Sequence, residues 1–326
     1  MRYVGIILFF ALFACQENGH KDVSTLPNMT GGLNELVIVL DEHLWQGDVG
    51  DSLRAVLGAG VQGIPWKESI FDLVQIPPKA YTRIFKTHRN LLFFEKGKKA
   101  SVGFQENANA KGQLMALVTY QNIEELKALV NQYTSVISHR FQEQEKARLS
   151  TQMVPQTGLE EVYQKHIIDL NIPKEFALVL DTTDFSWMEY NPKDKEIIQG
   201  IFIYEINPEI PFKTWQLLEQ RDSLTKKYVQ GVTPGSYMTV EKQHYQPWIK
   251  HIESMSYNAL EIKGQWKMKN AFMGGSFIVH FIQDTTHNRI LAIEGFLFNP
   301  GEDKRDKMQL LQLVLESAKK RPVKSE

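Results

Sequence analysis

Residue types able to do chemistry are scattered along this 326-residue chain, and few stand at spacings that chemistry demands. Asp41, Glu42 and His43 set three metal-ligating side chains next to each other at the end of an apolar run. Adjacent strand residues point to opposite faces, so all three meet one ion only if the strand stops there. Capping of the following helix by the acids is the simpler use, and no metal is expected. Arg83, Lys86, His88, Arg89 and Asn90 form a basic turn. Arg83, His88 and Arg89 are its candidates for receiving a carboxylate or phosphate, set against the ordinary preference of cations for helix C-termini. His244 and His251 lie near Tyr245, Trp248 and Tyr257. His244, Tyr245, Trp248 and His251 are therefore candidates for a helical or loop face that binds a sugar or peptide, with core packing and solvated surface as the alternatives.

Gly58, Gly60 and Gly63 satisfy G-x-G-x-x-G letter for letter. That motif cradles phosphate only between a strand and a helix. Here it follows a helical pattern and runs into Ile64 and Pro65, so it reads as a helix C-cap and turn. The sequence has no P-loop lysine, no H-E-x-x-H and no G-x-S-x-G. No cofactor is expected.

Cys15 is the only cysteine. Before it, Tyr3 to Ala14 is an apolar or small run of about 12 residues, short of the roughly 20 needed to span a bilayer as helix and suited to a secretory signal. Leu12-Phe13-Ala14-Cys15 resembles a lipoprotein lipobox, with Phe13 bulkier than is usual at its position. The resemblance implies cleavage before Cys15 and acylation of its thiol, two or more chains being needed for stable anchoring. The mature domain would then hold no thiol and form no disulfide, so its core must stabilise it. A buried N-terminal strand and an unlipidated secretory signal are the alternatives. Gln16 to Gly32 is polar and aperiodic, as a tether is. Glu17 lies two residues after the cysteine, where Asp resembles an inner-membrane retention signal and Glu is weaker evidence for one, while acidic residues near the cysteine also resemble surface-export signals of the Bacteroidota. The outer membrane is expected over the inner, and which side the domain faces is left open.

The chain beyond the tether is long enough for one large or two modest domains. The formal charge of −1 argues against a nucleic-acid partner, which wants a basic face. Six Trp, eleven Tyr and eighteen Phe are enough to fill a core and leave some for a binding surface.

The hydrophobic pattern predicts strands at 34–41, 70–76, 90–95, 101–105 and 114–120, and helices at 48–57 and 79–88. A long helix comes next, with Asn122 as N-cap and Glu124 and Glu125 in its first turn. Charge takes over from Arg140 to Arg148, a stretch that either projects into solvent or bridges to the second half. Beyond it come a helix at 158–168, strands at 175–181 and 197–206, and a helix at 215–229. A strand at 237–241, a three-stranded meander across 259–298 and a closing helix at 303–320 complete the pattern. The organisation expected is a leader (1–14), a tether (15–32), two halves (33–150 and 151–320) and a polar tail (321–326). The fold class is α+β, with antiparallel sheets under helices. The halves share an outline, which suggests a duplicated α/β-sandwich unit.

Three pairs of segments carry a wider likeness: NELVIVLD with LWQGDVGDSLR (34–41 and 44–54), FDLVQIPP with THRN (71–78 and 87–90), and KMKNAFMGGSF with ILAIEGFLFNP (267–277 and 290–300). In these the chain resembles a family of Bacteroidota envelope lipoproteins known only as a domain of unknown function. The resemblance implies location and domain extent, and no catalytic residue. The expected function is a lipid-anchored, non-enzymatic envelope protein that acts as a binding or assembly component, with an envelope protein or glycan as partner. The alternative is an envelope hydrolase that uses dispersed acids and histidines.

Overall fold

The computed structural model describes residues 23–64, 68–253 and 258–321. Cys15 with its leader, and Tyr257, lie outside the described residues. No helix among the described residues is long and apolar enough to cross a membrane. The end of the tether lies along the first half, where Asn28 and Thr30 bridge to Lys111 and His88.

Strands β1 (Glu35–Val39), β2 (Asp72–Ile76), β3 (Asn90–Lys96), β4 (Ser101–Glu106) and β5 (Leu114–Tyr120) form one sheet in the order β2-β1-β3-β5-β4. β2, β1, β3 and β5 run parallel, and only β4 is antiparallel to its neighbour. The antiparallel sheet expected for this half is thus corrected to a mixed one. The short link at 97–100 reads as a hairpin, yet β5 inserts between β3 and β4. The cause lies in side chains: every second residue of β5 is buried, whereas β4 is almost wholly exposed and suits only an edge.

Helices α1 (Glu42–Trp45), α2 (Asp48–Leu57), α3 (Arg83–Lys86) and α4 (Ile123–Gln152) complete this half. Val49, Leu53 and Leu57 of α2 join Leu126, Val130, Ile137 and Phe141 of α4 over one sheet face. On the other face Val37, Val39 and Leu91 pack beneath Tyr81 and Phe85. The helix expected at 79–88 is broken into a 3-10 turn and the four-residue α3. Asn122 caps α4 as expected, its side chain accepting from the Glu125 amide at 2.9 Å. Glu125 reciprocates by accepting from the Gln121 amide at 2.7 Å.

The second half holds β6 (Ile168–Asp169), β7 (Ala177–Asp181), β8 (Phe185–Tyr190), β9 (Ile198–Ile206), β10 (Tyr237–Val240), β11 (Trp248–Glu253), β12 (Asn258–Lys269), β13 (Gly274–Asp284), β14 (Arg289–Phe298) and β15 (Lys319–Lys320). β7 to β14 make an eight-stranded sheet, antiparallel throughout, in the order β10-β12-β13-β14-β9-β8-β7 with β11 also on β12. β6 and β15 pair separately. β7 is an outer strand whose register slips between Leu178 and Leu180. Its helices are α5 (Glu160–His166), α6 (Thr214–Tyr228) and α7 (Arg305–Glu316).

Alternation sorts the long strands by face. Ile278, Ile282, Leu291, Ile293 and Leu297 meet α7 and α5 on one side. Phe277, Val279, Phe281, Ala292 and Phe296 meet Leu217 and Leu218 of α6 on the other. Gly200 is obligatory here, since a Cβ would lie 1.8 Å from the Phe296 ring. The fold is therefore α+β, but strand order and polarity differ between the halves, so their similar outline is not one topology repeated.

Two buried charge networks tie helices to sheets. Beneath α6, the Arg221 guanidinium donates to Glu294 of β14 at 2.6 and 3.0 Å, and the Tyr204 hydroxyl donates to the same carboxylate at 3.1 Å. Beneath α4, Glu145 accepts from Arg89 at 2.6 and 2.8 Å, from Asn90 at 2.5 Å and from Arg148 at 2.8 Å. Glu145 is fully buried, which corrects a solvent-projecting reading of 140–148. The same stretch also bridges the halves, through Lys146 and Glu316 at 3.2 Å. Burial draws Arg148 down to about 10, with Glu145 opposing and Arg89 adding to the shift. Glu145→Ala strands two guanidiniums without their shared acid and is expected to lower stability by about 3–5 kcal/mol, read from the midpoint of urea unfolding.

Candidate functional site

The sequence candidates do not converge. Arg83 is exposed on α3, whereas His88 and Arg89 turn inward. His88 Nε2 stands 3.0 Å from Glu35, and Arg89 is committed to Glu145. The basic turn is thus structural at two of its three candidate positions. His244 is exposed in a turn, with its ring 3.5 Å from Glu241. Trp248 and His251 fall on β11, a strand where a helix or loop was expected. Their odd spacing puts them on opposite faces of it. Trp248 faces a cleft, His251 is exposed on the far side and Tyr245 is half-buried. Of the four, Trp248 alone lines that cleft.

That cleft, about 460 Å³ in volume, lies where the two halves meet. The first half contributes the 59–63 loop and His139, Gln142, Glu143 and Lys146 of α4. The second contributes Trp248 and Lys250 of β11, Lys263 of β12, and one side of α7. Here the G-x-G-x-x-G segment finds its role. Gly63 has φ +87°, and a Cβ on it would lie 2.3 Å from Lys263, so only glycine lets this loop approach β12. The loop is docked there by Gln265, which donates to the Gly63 carbonyl at 3.2 Å.

The seam beside the cleft is polar. Glu68 accepts from the amides of Lys304 and Arg305 at 2.6–2.9 Å, so a first-half carboxylate caps α7 of the second half. Arg305 reaches back to Asp72 at 2.8 and 3.1 Å. Asn34 donates to Asp306 at 3.0 Å and to Gln309 at 2.8 Å.

Cations dominate the floor. Lys263 donates to Gln312 at 3.0 Å, stands 3.8 Å from Glu261 and lies 5.2 Å from the Trp248 ring centre. Burial pushes its ammonium below the ordinary lysine range; Glu261 and Glu316 oppose this, while Lys146 and Lys250 add to it. Burial also works against Lys146, but Glu316 and Glu143 outweigh it and hold that ammonium up. Lys250 is exposed and has no ion-pair partner among the described residues. Arg305 is consumed by Asp72 and Asp306. Lys250, unpaired among the described residues, and Lys263, whose nearest acid is 3.8 Å away, are therefore the cations best placed to meet a ligand. Among the described residues, the lining contains no hydroxyl or thiol side chain.

A nucleophile-like alignment occurs elsewhere. Ser186 Oγ is 2.9 Å from His166 Nε2, and His166 Nδ1 is 3.2 Å from Glu205. Sequence reading missed it because three separate elements supply it. Ser186 and His166 are fully buried, and the Ser186 hydroxyl donates to Asp181 at 2.6 Å. With its proton directed at Asp181 and Lys165 donating to its oxygen at 2.9 Å, this serine is a structural link from α5 to β8. No group of three or more residues suited to a metal occurs among the described residues.

Two family models match the chain. Residues 29–154 match one described as a domain of unknown function, DUF8532, and residues 156–317 match another, DUF4837. The chain carries two domains of unknown function. The matches meet at Pro155, between α4 and α5, so the cleft lies between the two domains. No curated protein matches the chain. Among solved structures, the Ran-binding protein Mog1p of Saccharomyces cerevisiae is 11% identical, with 47% of this chain aligned to 90% of that one at a TM-score of 0.31. LpqN of Mycobacterium tuberculosis, described as involved in cell envelope biogenesis, is 13% identical over 48% of this chain and 83% of its own, at 0.27. Overlaps of this quality say nothing about ligand or activity.

Burial holds His166 below its ordinary value of 6.5, with Lys165 and Arg289 adding to the shift and Glu205 opposing it. The unfolded chain therefore takes up this proton more readily than the folded one. The His166 contribution is fully present above pH 6.5 and is lost as pH falls through and below that value. The melting temperature, followed by circular dichroism, is expected to drop between pH 7 and 5, and His166→Gln is expected to flatten that slope.

Proposed function

We propose that this protein is a lipid-anchored component of the cell envelope that binds, without transforming, an acidic glycan in the cleft between its domains. The observation that carries this reading is the cleft itself, where Lys250 and Lys263 stand beside Trp248 and no serine, threonine or cysteine lines it among the described residues. An indole offers a flat apolar surface to a sugar ring, and two ammonium groups at its edge suit carboxylates. The hydrolase reading has one alignment in its favour, Ser186–His166–Glu205, and the burial and hydrogen bonding of Ser186 weigh against it. The anchor rests on the lipobox resemblance around Cys15, and the outer membrane is the proposed location.

Titration of the full chain with an oligogalacturonate is expected to change tryptophan fluorescence saturably, while a neutral oligosaccharide of equal length does not. Lys263→Gln should weaken that binding about tenfold, the loss of one charged hydrogen bond. Equal responses to the two sugars, or none to either, would remove the reading. For the anchor, the intact mass of protein from native membranes is expected to show loss of residues 1–14 and gain of two or three acyl chains. An unacylated mass would reduce the protein to a secreted one.

A further inference from the structure

Two turns at one edge of the large sheet lie side by side. One spans residues 230–236, ahead of β10; the other spans 270–273, between β12 and β13. Tyr237 pairs with Lys269, and the Asn270 side chain donates to the Gly235 carbonyl at 3.3 Å. Each turn carries one apolar residue wholly in solvent: Val232 at 105% and Phe272 at 111% relative exposure. These are the most exposed large apolar side chains of the described residues, and they share one tip.

The surroundings of the tip are basic. Residues 229–240 and 265–280 contain no acidic residue and include Lys267 and Lys269. Lys226 and Lys269 flank the Tyr237 ring at 5.3 and 5.7 Å, and neither has an ion-pair partner among the described residues. Lys267 is neutralised by Glu241 at 2.8 Å. An apolar wedge, an amphipathic tyrosine and unpaired lysines match a bilayer surface, whose acyl region takes the wedge and whose anionic headgroups take the ammonium groups. A protein partner fits less well, because two isolated projecting side chains form no concave or continuous face.

We propose that these paired turns are a membrane-contacting tip, Val232 and Phe272 entering the acyl region of an anionic bilayer while Lys226 and Lys269 meet its headgroups. The tip is distinct from any attachment through the N-terminus. It would set how the domain leans on the membrane that holds it.

The test uses the full chain carrying Cys15→Ser and Phe272→Cys, labelled at its one thiol with an environment-sensitive nitrobenzoxadiazole. It is mixed with phosphatidylethanolamine–phosphatidylglycerol vesicles whose acyl chains carry nitroxides. Cys15→Ser removes the acylation site from every variant alike, so the label reports the tip alone. A blue shift with nitroxide quenching is expected at position 272. The same label at Thr286→Cys, across the 11 residues of β13 and so about 35 Å away, should stay in water. Val232→Glu should cut the quenching at position 272 several-fold. Lys226→Gln with Lys269→Gln should do the same on anionic vesicles. A label at 272 that keeps its aqueous emission in the presence of the anionic vesicles overturns the proposal. An equal shift on phosphatidylcholine vesicles overturns the role given to the lysines.

Discussion

The arrangement of this molecule hangs on a carboxylate lent by one domain to the other. Glu68 occupies the amino end of α7, where unpaired amides and the helix dipole both call for an anion. α7 in turn covers one face of the eight-stranded sheet and forms one wall of the cleft. Asp72 and Asn34, from the same end of the first domain, hold the next residues of that helix. Remove this seam and the cleft loses its geometry, since its opposite wall belongs to α4 and the glycine loop. Each of these contacts is modest, as exposed or half-exposed pairs are, but together they fix one helix relative to two domains.

Charge is also used where it is costly. Glu294 with Arg221, and Glu145 with Arg89 and Arg148, are ion networks removed from water. Such groups stabilise only when their hydrogen-bonding capacity is satisfied, and the geometry here meets that condition. Their value lies in specificity, because an apolar helix face can slide over a sheet while a fork of guanidinium bonds cannot. α4 and α6 are each registered in this way.

Much of the fold was legible because its signals are local. The apolar runs of β1, β5, β12 and β14, the helical stripe of α2 and the Asn122 cap all sit within short windows, and each element lies where periodicity predicts. Sheet polarity in the first domain was not legible: a short link implies a hairpin, and only the exposure of β4 against the burial of β5 shows that the strands do not pair. β8 and β11 went unread because aromatic, polar and charged residues mix along both. The site was less legible still. Trp248 was singled out, but its companions Lys250 and Lys263 are ordinary lysines whose meaning comes from register across β11 and β12. Arg89 and His88 looked like a binding turn because sequence cannot show that Glu145 and Glu35 have already claimed them. Likewise the glycine motif gave its spacing but not its partner, a strand some 200 residues away.

The slipped register of β7 has a consequence for crowding. This strand leaves one side of the large sheet uncapped, with Leu178 and Val179 half in solvent. A straight strand of that composition would template another chain. The irregularity between Leu178 and Leu180 breaks the even row of amide and carbonyl groups that an incoming strand must match. The sheet thus ends in a flaw that makes its exposed edge a poor template for a second copy.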